Sequence, residues 1–330
     1  MRDKKIGIMI LVFAALCLIT GSIKNMFLLD IIVMTCIWAF ASQAWNIAGG
    51  YSGQFSLGHC GFFGIGAYAS TILYMNFGLS PWIGLIIGGL LAGVLGGLYS
   101  GICNKLSGHF FSLATLAMGQ ILYIASIQLK SITKGSMGII IPFQESMANM
   151  IFSNRATYGI IILIMLLFLT LFTYSMQKSR YGYFLYAIRD NERAALSLGV
   201  RGQQLKIASF AISAFFTAIA GSFYAQYILF IEPDSTMVMA VAVQIATIAI
   251  IGGTGTYVGP LLGASVLIPL SMVLRAQLNT ISGLDTLIYG LVLIFVVIFL
   301  PDGLLPLILK IFKKRSQKEV KEEAICNAEV

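Results

Sequence analysis

The sequence predicts an all-α integral membrane protein, a polytopic bundle of about ten transmembrane helices. Three observations predict it. Of the 330 residues, 58% are hydrophobic and only 10% charged, whereas a soluble domain carries about a quarter charged residues. Apolar runs of about 20 residues, long enough to cross a bilayer, fill most of the chain. The net charge of +8 is gathered into loops and the tail, where the positive-inside rule explains it better than nucleic acid does.

The spans follow in order. Arg2, Lys4 and Lys5 precede an apolar run from Ile6 to about Ile23, read as an uncleaved first span because a second apolar segment starts at once. The second runs from Phe27 to Ala48. After a polar break, Gly49 to His59, the third reaches about Asn76. Ser80-Pro81 opens the fourth, Trp82 to Ile102, where Gly84, Gly88, Gly89, Gly93, Gly96 and Gly97 favour close helix contact. The fifth is His109 to Leu129. Gly135, Gly138 and Pro142 break residues 130–157. The sixth is Tyr158 to Met176 and the seventh Ile207 to Ile231, stopped by Glu232-Pro233-Asp234. The eighth ends near Ile251. A second break, Gly252 to Pro260, leads into the ninth, ending near Arg275. The tenth, Leu284 to Leu300, is closed by Pro301-Asp302-Gly303. Residues 1–309 thus form the membrane domain, and 310–330 a flexible basic tail that can touch anionic lipid.

Charge supports this parity. With the amino terminus inside, the inner side holds Arg2, Lys4, Lys5, Lys105, six basic residues of 178–206, Lys310, Lys313, Lys314, Arg315, Lys318 and Lys321. The outer side holds Lys24, Lys130, Lys134, Arg155 and Arg275. That is sixteen against five. Both termini are therefore expected in the cytoplasm.

Residues 178–206 form the one long charged segment between apolar ones. Asp190-Asn191 can cap a short helix, Ala194, Ala195 and Leu198 give it an apolar face, and Gly199 can end it. A short amphipathic helix in a basic loop fits contact with a cytoplasmic protein, here a coupling helix that receives force from a separate motor. Arg189 and Arg193 flank its face, placed to pair with acids on the partner, and Glu192 belongs to the same coupling segment.

Little else carries chemistry. Cys17, Cys36, Cys60, Cys103 and Cys326 include no C-x-x-C pair, and the first four read as small buried hydrophobes. His59 and His109 stand far apart without nearby acids, so neither a metal nor a cofactor is expected. Charge is nearly absent from span centres, where it costs at least about 2.5 kcal/mol; Asp30, Arg275 and Asp285 fall near the outer surface. That pattern argues against an internal proton relay. An integral membrane enzyme would need an acid/base or metal constellation at one face, and Glu145, Glu232, Asp234 and Asp285 are scattered. The two glycine-rich breaks are either tight turns or unwound segments lining a path; the candidate path residues are Gly50, Tyr51, Gly53, Gln54, Ser56, His59, Gly253, Thr254, Gly255 and Thr256. Neither break is a phosphate-binding loop, since GGTGTYVG lacks the Walker lysine.

Several motifs resemble one family. Gly50 to His59 (GYSGQFSLGH) with Phe62 to Tyr68, Thr133 to Gly138, Arg180-Tyr181-Gly182, Ala187 to Ala195, Leu198-Gly199-Val200, Ala220 to Ala225, Pro233-Asp234-Ser235, Gly252 to Thr256 with Gly259-Pro260, and Pro301 to Leu304 occur in its order over about residues 28–306. The chain resembles the LivM-type permeases of branched-chain amino acid ABC importers. Cys60 and Lys134 depart from residues commoner there. The resemblance implies a second, related permease of the LivH type, two ABC ATPase subunits and an extracytoplasmic substrate-binding protein. It implies import of Leu, Ile or Val across a bacterial or archaeal plasma membrane, and a coupling loop at Arg189 to Val200 that docks on the ATPase. Urea and short-chain amide importers use similar permeases and remain the alternative.

Overall fold

A computed structural model describes residues 2–103, 106, 108–278, 287–288, 290–291, 294 and 303–305. Lys105, most of the expected tenth span with Asp285, the Pro301-Asp302 stop and the tail from Lys310 lie outside these residues.

The described chain is helical almost throughout. In order come α1 (Arg2–Ser22), α2 (Met26–Asn46) with a π turn at Ile47–Tyr51, α3 (His59–Phe77), α4 (Pro81–Ile102), α5 (His109–Gln128) and the short α6 (Lys130–Thr133). A two-residue strand β1 (Ile139–Ile140) precedes α7 (Arg155–Gln177), α8 (Arg180–Asp190), α9 (Glu192–Ser197) and α10 (Gly202–Ile228). Strand β2 (Phe230–Ile231) pairs antiparallel with β1, Ile139 opposite Ile231. Then follow α11 (Pro233–Thr236), α12 (Met239–Gly252) and α13 (Gly259–Gln277).

Local sequence sets the helix starts. Asn25 accepts the Phe27 N–H at 2.9 Å, Asn154 the Ala156 N–H at 2.9 Å and Ser179 the Gly182 N–H at 3.3 Å, each satisfying an otherwise orphaned donor. Pro81 occupies the first turn of α4, where its missing N–H is not needed.

Among the described residues, seven helices are long and apolar enough to cross a membrane. The expected count of ten also needs α1, α3 and 284–300, which are not among the seven. The apolar part of α1 is the shorter run Ile6–Ser22. Helix α3 has 19 residues but carries His59, Ser70, Thr71 and Asn76. Its polarity has a structural reason: α3 is an inner helix, packed between α4 and α10, with His59, Ser70 and Thr71 fully buried.

Small residues bring these helices together, as lipid provides no hydrophobic drive between them. A side chain at Gly66 would strike the Ala218 carbonyl, and one at Gly221 the Phe63 carbonyl, so α3 and α10 touch backbone to backbone. Ser222 Oγ donates to Gly66 O at 2.8 Å across the same contact. Such bonds average about 0.6 kcal/mol in membranes. The glycines of α4 behave as expected, Gly84 lying against Ser70, Gly89 against Phe215 and Gly96 against Ala214. Around α2 the core is aromatic: Trp38 stacks on Phe63 with centroids 5.7 Å apart, and Phe40 meets Phe216 edge-on.

The loops separate into two ends. At one, residues 129–154 meet the ends of α3, α4 and α10: Tyr74 Oη donates to Gln144 Oε1 at 3.4 Å, Trp82 Nε1 to Met147 O at 2.9 Å and the Ile141 N–H to Leu229 O at 2.9 Å. Asp30 pairs there with Arg155 and accepts from Tyr227. At the other lie both glycine-rich breaks and residues 178–201. Thr20 lies against Gly159, which sets the carboxyl end of α1 at the Asp30 end and Arg2 at the opposite one. Within 178–206 the sequence pointed to one short helix; there are two, with α8 preceding the expected α9.

Candidate functional site

The two glycine-rich breaks, about 200 residues apart in sequence, meet. Asn46 ends α2 and is fully buried. Its Nδ2 donates to Thr256 O at 2.8 Å, and its Oδ1 accepts the Gly255 N–H at 2.8 Å. Gln43, one turn earlier, donates to Thr173 Oγ1 at 2.6 Å and to Tyr257 O at 3.2 Å. The free backbone groups of the second break are thus satisfied by the end of α2, as buried polar backbone requires. Gly50 must be glycine: a side chain there would collide with the Asn46 carboxamide and the Gly255 nitrogen. Gly255 has φ 73°, a conformation glycine adopts without cost.

Helix α8 closes the assembly. Arg189 Nη1 donates to Gly50 O at 2.8 Å, and Tyr186 Oη donates to Gly255 O at 2.6 Å. The two side chains stand three residues apart on one helix face, with the Arg189 guanidinium 5.2 Å from the Tyr186 ring centroid. Tyr51 packs its ring 5.6 Å from Tyr186, and Gly53 abuts Arg189. Burial raises the Tyr186 phenol above its ordinary value, so it remains a proton donor at neutral pH.

The other candidate path residues lie around this knot. Gln54 is buried, its Nε2 donating to Ser100 Oγ at 3.3 Å and its Oε1 accepting from Ser52 at 3.1 Å and Ser209 at 3.3 Å. His59 is held between Ser56 Oγ at 2.9 Å and Ser213 Oγ at 2.8 Å. Trp45 Nε1 donates to Ser56 O at 2.8 Å. Gly253 is buried and Thr254 exposed, while Thr256 Oγ1 donates to Gly253 O at 2.8 Å. A cavity of about 170 Å³ is lined by Ser52, Gly53, Gln54, Arg189, Glu192 and Lys206.

Helix α9 begins as expected. Asn191 accepts the Ala194 N–H at 3.1 Å, and Gly199 follows the helix with φ 83°. Its apolar face divides. Ala195 turns into the chain and is 3% exposed, whereas Leu198 is 85% exposed and Ala194 also faces outward. Beside them a groove is lined by Phe184, Leu198, Val200, Leu205 and Ala208. Arg189 lies differently from its expected flanking position, since it is turned back onto Gly50 and Asp190. Glu192 Oε1 accepts from Lys206 Nζ at 2.6 Å, and Arg193 is exposed.

Sequence reasoning passed over Asn46, Gln43 and Tyr186. Each carried a signal: Gln43 and Asn46 are the polar residues closing an apolar span, and Tyr186 lies one helical turn before Arg189.

Comparison with known proteins agrees with the motifs. The chain is 28% identical to the high-affinity branched-chain amino acid transport system permease protein LivM of Escherichia coli (strain K12) over 301 residues, covering 84% of this chain and 70% of that one. LivM of Salmonella typhimurium is 28% identical over 318 residues, 89% of this chain and 74% of that one. The autoinducer 2 import system permease protein LsrC of Yersinia pestis is 36% identical, but over 146 residues, 43% of this chain and 40% of that one. The family described as branched-chain amino acid transport system / permease component matches residues 27–297. The chain is a LivM-type multi-pass membrane protein and belongs to that permease family.

Proposed function

We propose that this chain is a membrane-spanning subunit of an ATP-binding-cassette importer that carries Leu, Ile or Val inward across the plasma membrane. Its amino and carboxyl termini lie in the cytoplasm. A second, LivH-type permease, two ATPase subunits and an extracytoplasmic binding protein complete the importer. The chain hydrolyses nothing itself; α8 and α9 receive the ATPase stroke, and the glycine-rich breaks border the route of the substrate.

One observation carries this reading. The end of the molecule that bears the basic 178–206 stretch also bears an outward apolar surface, Ala194 and Leu198 at α9, and the preceding helix α8 is bonded to both breaks. A partner helix or groove seated on Leu198 would press on α9, which follows at once on the helix that is bonded to both breaks. The likeness to LivM over most of both chains supports the substrate class. The partial likeness to LsrC supports a different cargo on the same architecture, and urea or short-chain amides are a further alternative.

The test is reconstitution of the chain with its encoded neighbours in proteoliposomes. ATP-dependent uptake of leucine, isoleucine and valine is expected only when all subunits and loaded binding protein are present. ATP-dependent uptake of urea, acetamide or autoinducer 2 in place of these would overturn the substrate, and uptake without the ATPases would overturn the class.

A further inference from the structure

We propose that Tyr186 and Arg189 are positioning residues for transport, a clasp that carries displacement of α8 and α9 to both glycine-rich breaks at once. This rests on the coupling reading above and adds the path by which force leaves the docking surface.

The clasp follows from what the two side chains hold. Each donates to a backbone carbonyl, Arg189 to Gly50 O and Tyr186 to Gly255 O, and the acceptors belong to different breaks. Neither acceptor lies in an α-helix. Gly50 is inside the π turn Ile47–Tyr51, and Gly255 is in the turn between α12 and α13. A π turn holds one residue more than the α ladder, and moving that residue re-aims the chain that follows. Asn46 meanwhile bonds the second break to the end of α2 through Gly255 and Thr256. The two breaks and α8 thus form a closed ring of hydrogen bonds in which no member moves alone.

Helix α9 also has an attachment of its own to α10, Glu192 Oε1 accepting from Lys206 Nζ at 2.6 Å, but that bond reaches neither break. Helix α8 is also bonded to α10 by Tyr181 Oη to Leu205 O at 3.2 Å, near the start of α8. That contact anchors the helix at the far side from α9 and leaves Tyr186 and Arg189 on the arm that a partner at Leu198 would move. The glycines matter for the same reason, since Gly53 and Gly255 leave room for the Arg189 side chain to reach the backbone. Because the clasp grips backbone, its effect reaches α3 and α13, the helices that follow the two breaks.

The experiment uses the complete importer in proteoliposomes with loaded binding protein, comparing the parent with Tyr186→Phe and Leu198→Asp. Tyr186→Phe keeps the ring and removes one hydroxyl. It is expected to leave ATP hydrolysis stimulated by binding protein while uptake per ATP falls roughly fivefold, the factor for loss of one buried hydrogen bond of ordinary net strength. In a cysteine-free background, Thr254→Cys should react with a water-soluble maleimide at a rate that changes on vanadate trapping, and Tyr186→Phe should abolish that change. Unaltered uptake per ATP, or an unaltered trapping-dependent labelling change, would overturn the clasp. Uptake and hydrolysis falling together would assign Tyr186 to docking or folding instead, and would also overturn it. Leu198→Asp tests the underlying reading separately: hydrolysis still fully stimulated in that variant sinks the docking surface whatever Tyr186→Phe does. Arg189→Lys, which keeps the charge and shortens the reach, supplies the same comparison should Tyr186→Phe not assemble.

Discussion

Asn46 binds Gly255 and the residue after it as one peptide strand binds another, accepting the Gly255 N–H and donating to Thr256 O, both at 2.8 Å. A carboxamide supplies donor and acceptor in the spacing a backbone offers. Asn46→Ala would leave an N–H and a carbonyl without partners in a buried place, at about 1–3 kcal/mol each. The purified variant should melt several degrees below the parent, and Asn46→Asp, which keeps the acceptor alone, should not restore it. A melting temperature unchanged in Asn46→Ala would mean that the breaks are held by something else.

Gln54→Leu separates a structural from a transport role at the first break. The serines that donate to Gln54 have second acceptors: Ser52 Oγ reaches Ala48 O at 2.7 Å and Ser209 Oγ reaches Lys206 O at 2.9 Å. Removing the carboxamide therefore strands few groups, and Leu is close to Gln in volume. Assembly should survive with a stability change of about 1 kcal/mol or less, while uptake falls if this surface borders the substrate route. Normal uptake with Leu at 54 would leave the break a plain turn.

Much of this architecture was legible in the sequence because it depends on local rules. The Asn191 cap, the Gly199 stop and the contact glycines of α4 are set by residues within one or two turns. What was not legible depends on long-range contacts. The meeting of Asn46 with Gly255 joins positions 209 residues apart, and neither break contains a hint of the other beyond shared glycines. Helix α8 was hidden because Arg180, Gly182, Arg189 and Asp190 read as loop, while tertiary burial of Gly182, Leu185 and Ile188 makes it a helix. Ala195 reads as one face with Leu198 by spacing, yet α9 ends at Ser197, so Leu198 is the cap residue beyond the helix and is not held on the Ala195 face.

Asp30 offers a test of the energy source. It is paired with Arg155 and Tyr227 at the loop-rich end away from α8, and both ionic side chains are partly exposed. A pair of that kind contributes about 1 kcal/mol or less. Asp30→Asn should cost little stability and leave uptake dependent on ATP and insensitive to a proton gradient. Loss of uptake with normal assembly would reopen a proton-coupled mechanism.

Orientation is tested by labelling. Ser136 lies in the 129–154 loop and Ser179 between α7 and α8, at opposite ends of α7. The sixteen-to-five charge bias favours Ser179 in the cytoplasm. Single cysteines at 136 and 179 in a cysteine-free background should react with an impermeant maleimide from outside and from inside, respectively. Reaction at 179 from outside intact cells would invert the map.

The last prediction concerns which residue of α9 meets a partner. Spacing alone puts Ala194, Ala195 and Leu198 on one face, but Ala195 is 3% exposed within this chain and Leu198 is 85% exposed. An aspartate at 195 would bury an unpaired charge in the chain's own packing, so Ala195→Asp should lower the melting temperature and the yield of folded protein before any partner is added. Leu198→Asp changes a solvent-facing side chain and should leave the isolated chain's stability within about 0.5 kcal/mol. If Leu198 seats in an ATPase groove, the same substitution should abolish co-purification of the ATPase or its stimulation by loaded binding protein, since it would bury an unpaired charge in that groove. Melting curves of the isolated chain, set beside ATPase pull-down from the assembled complex, decide between the two. A Leu198→Asp variant that binds the ATPase as tightly as the parent moves the docking surface away from α9.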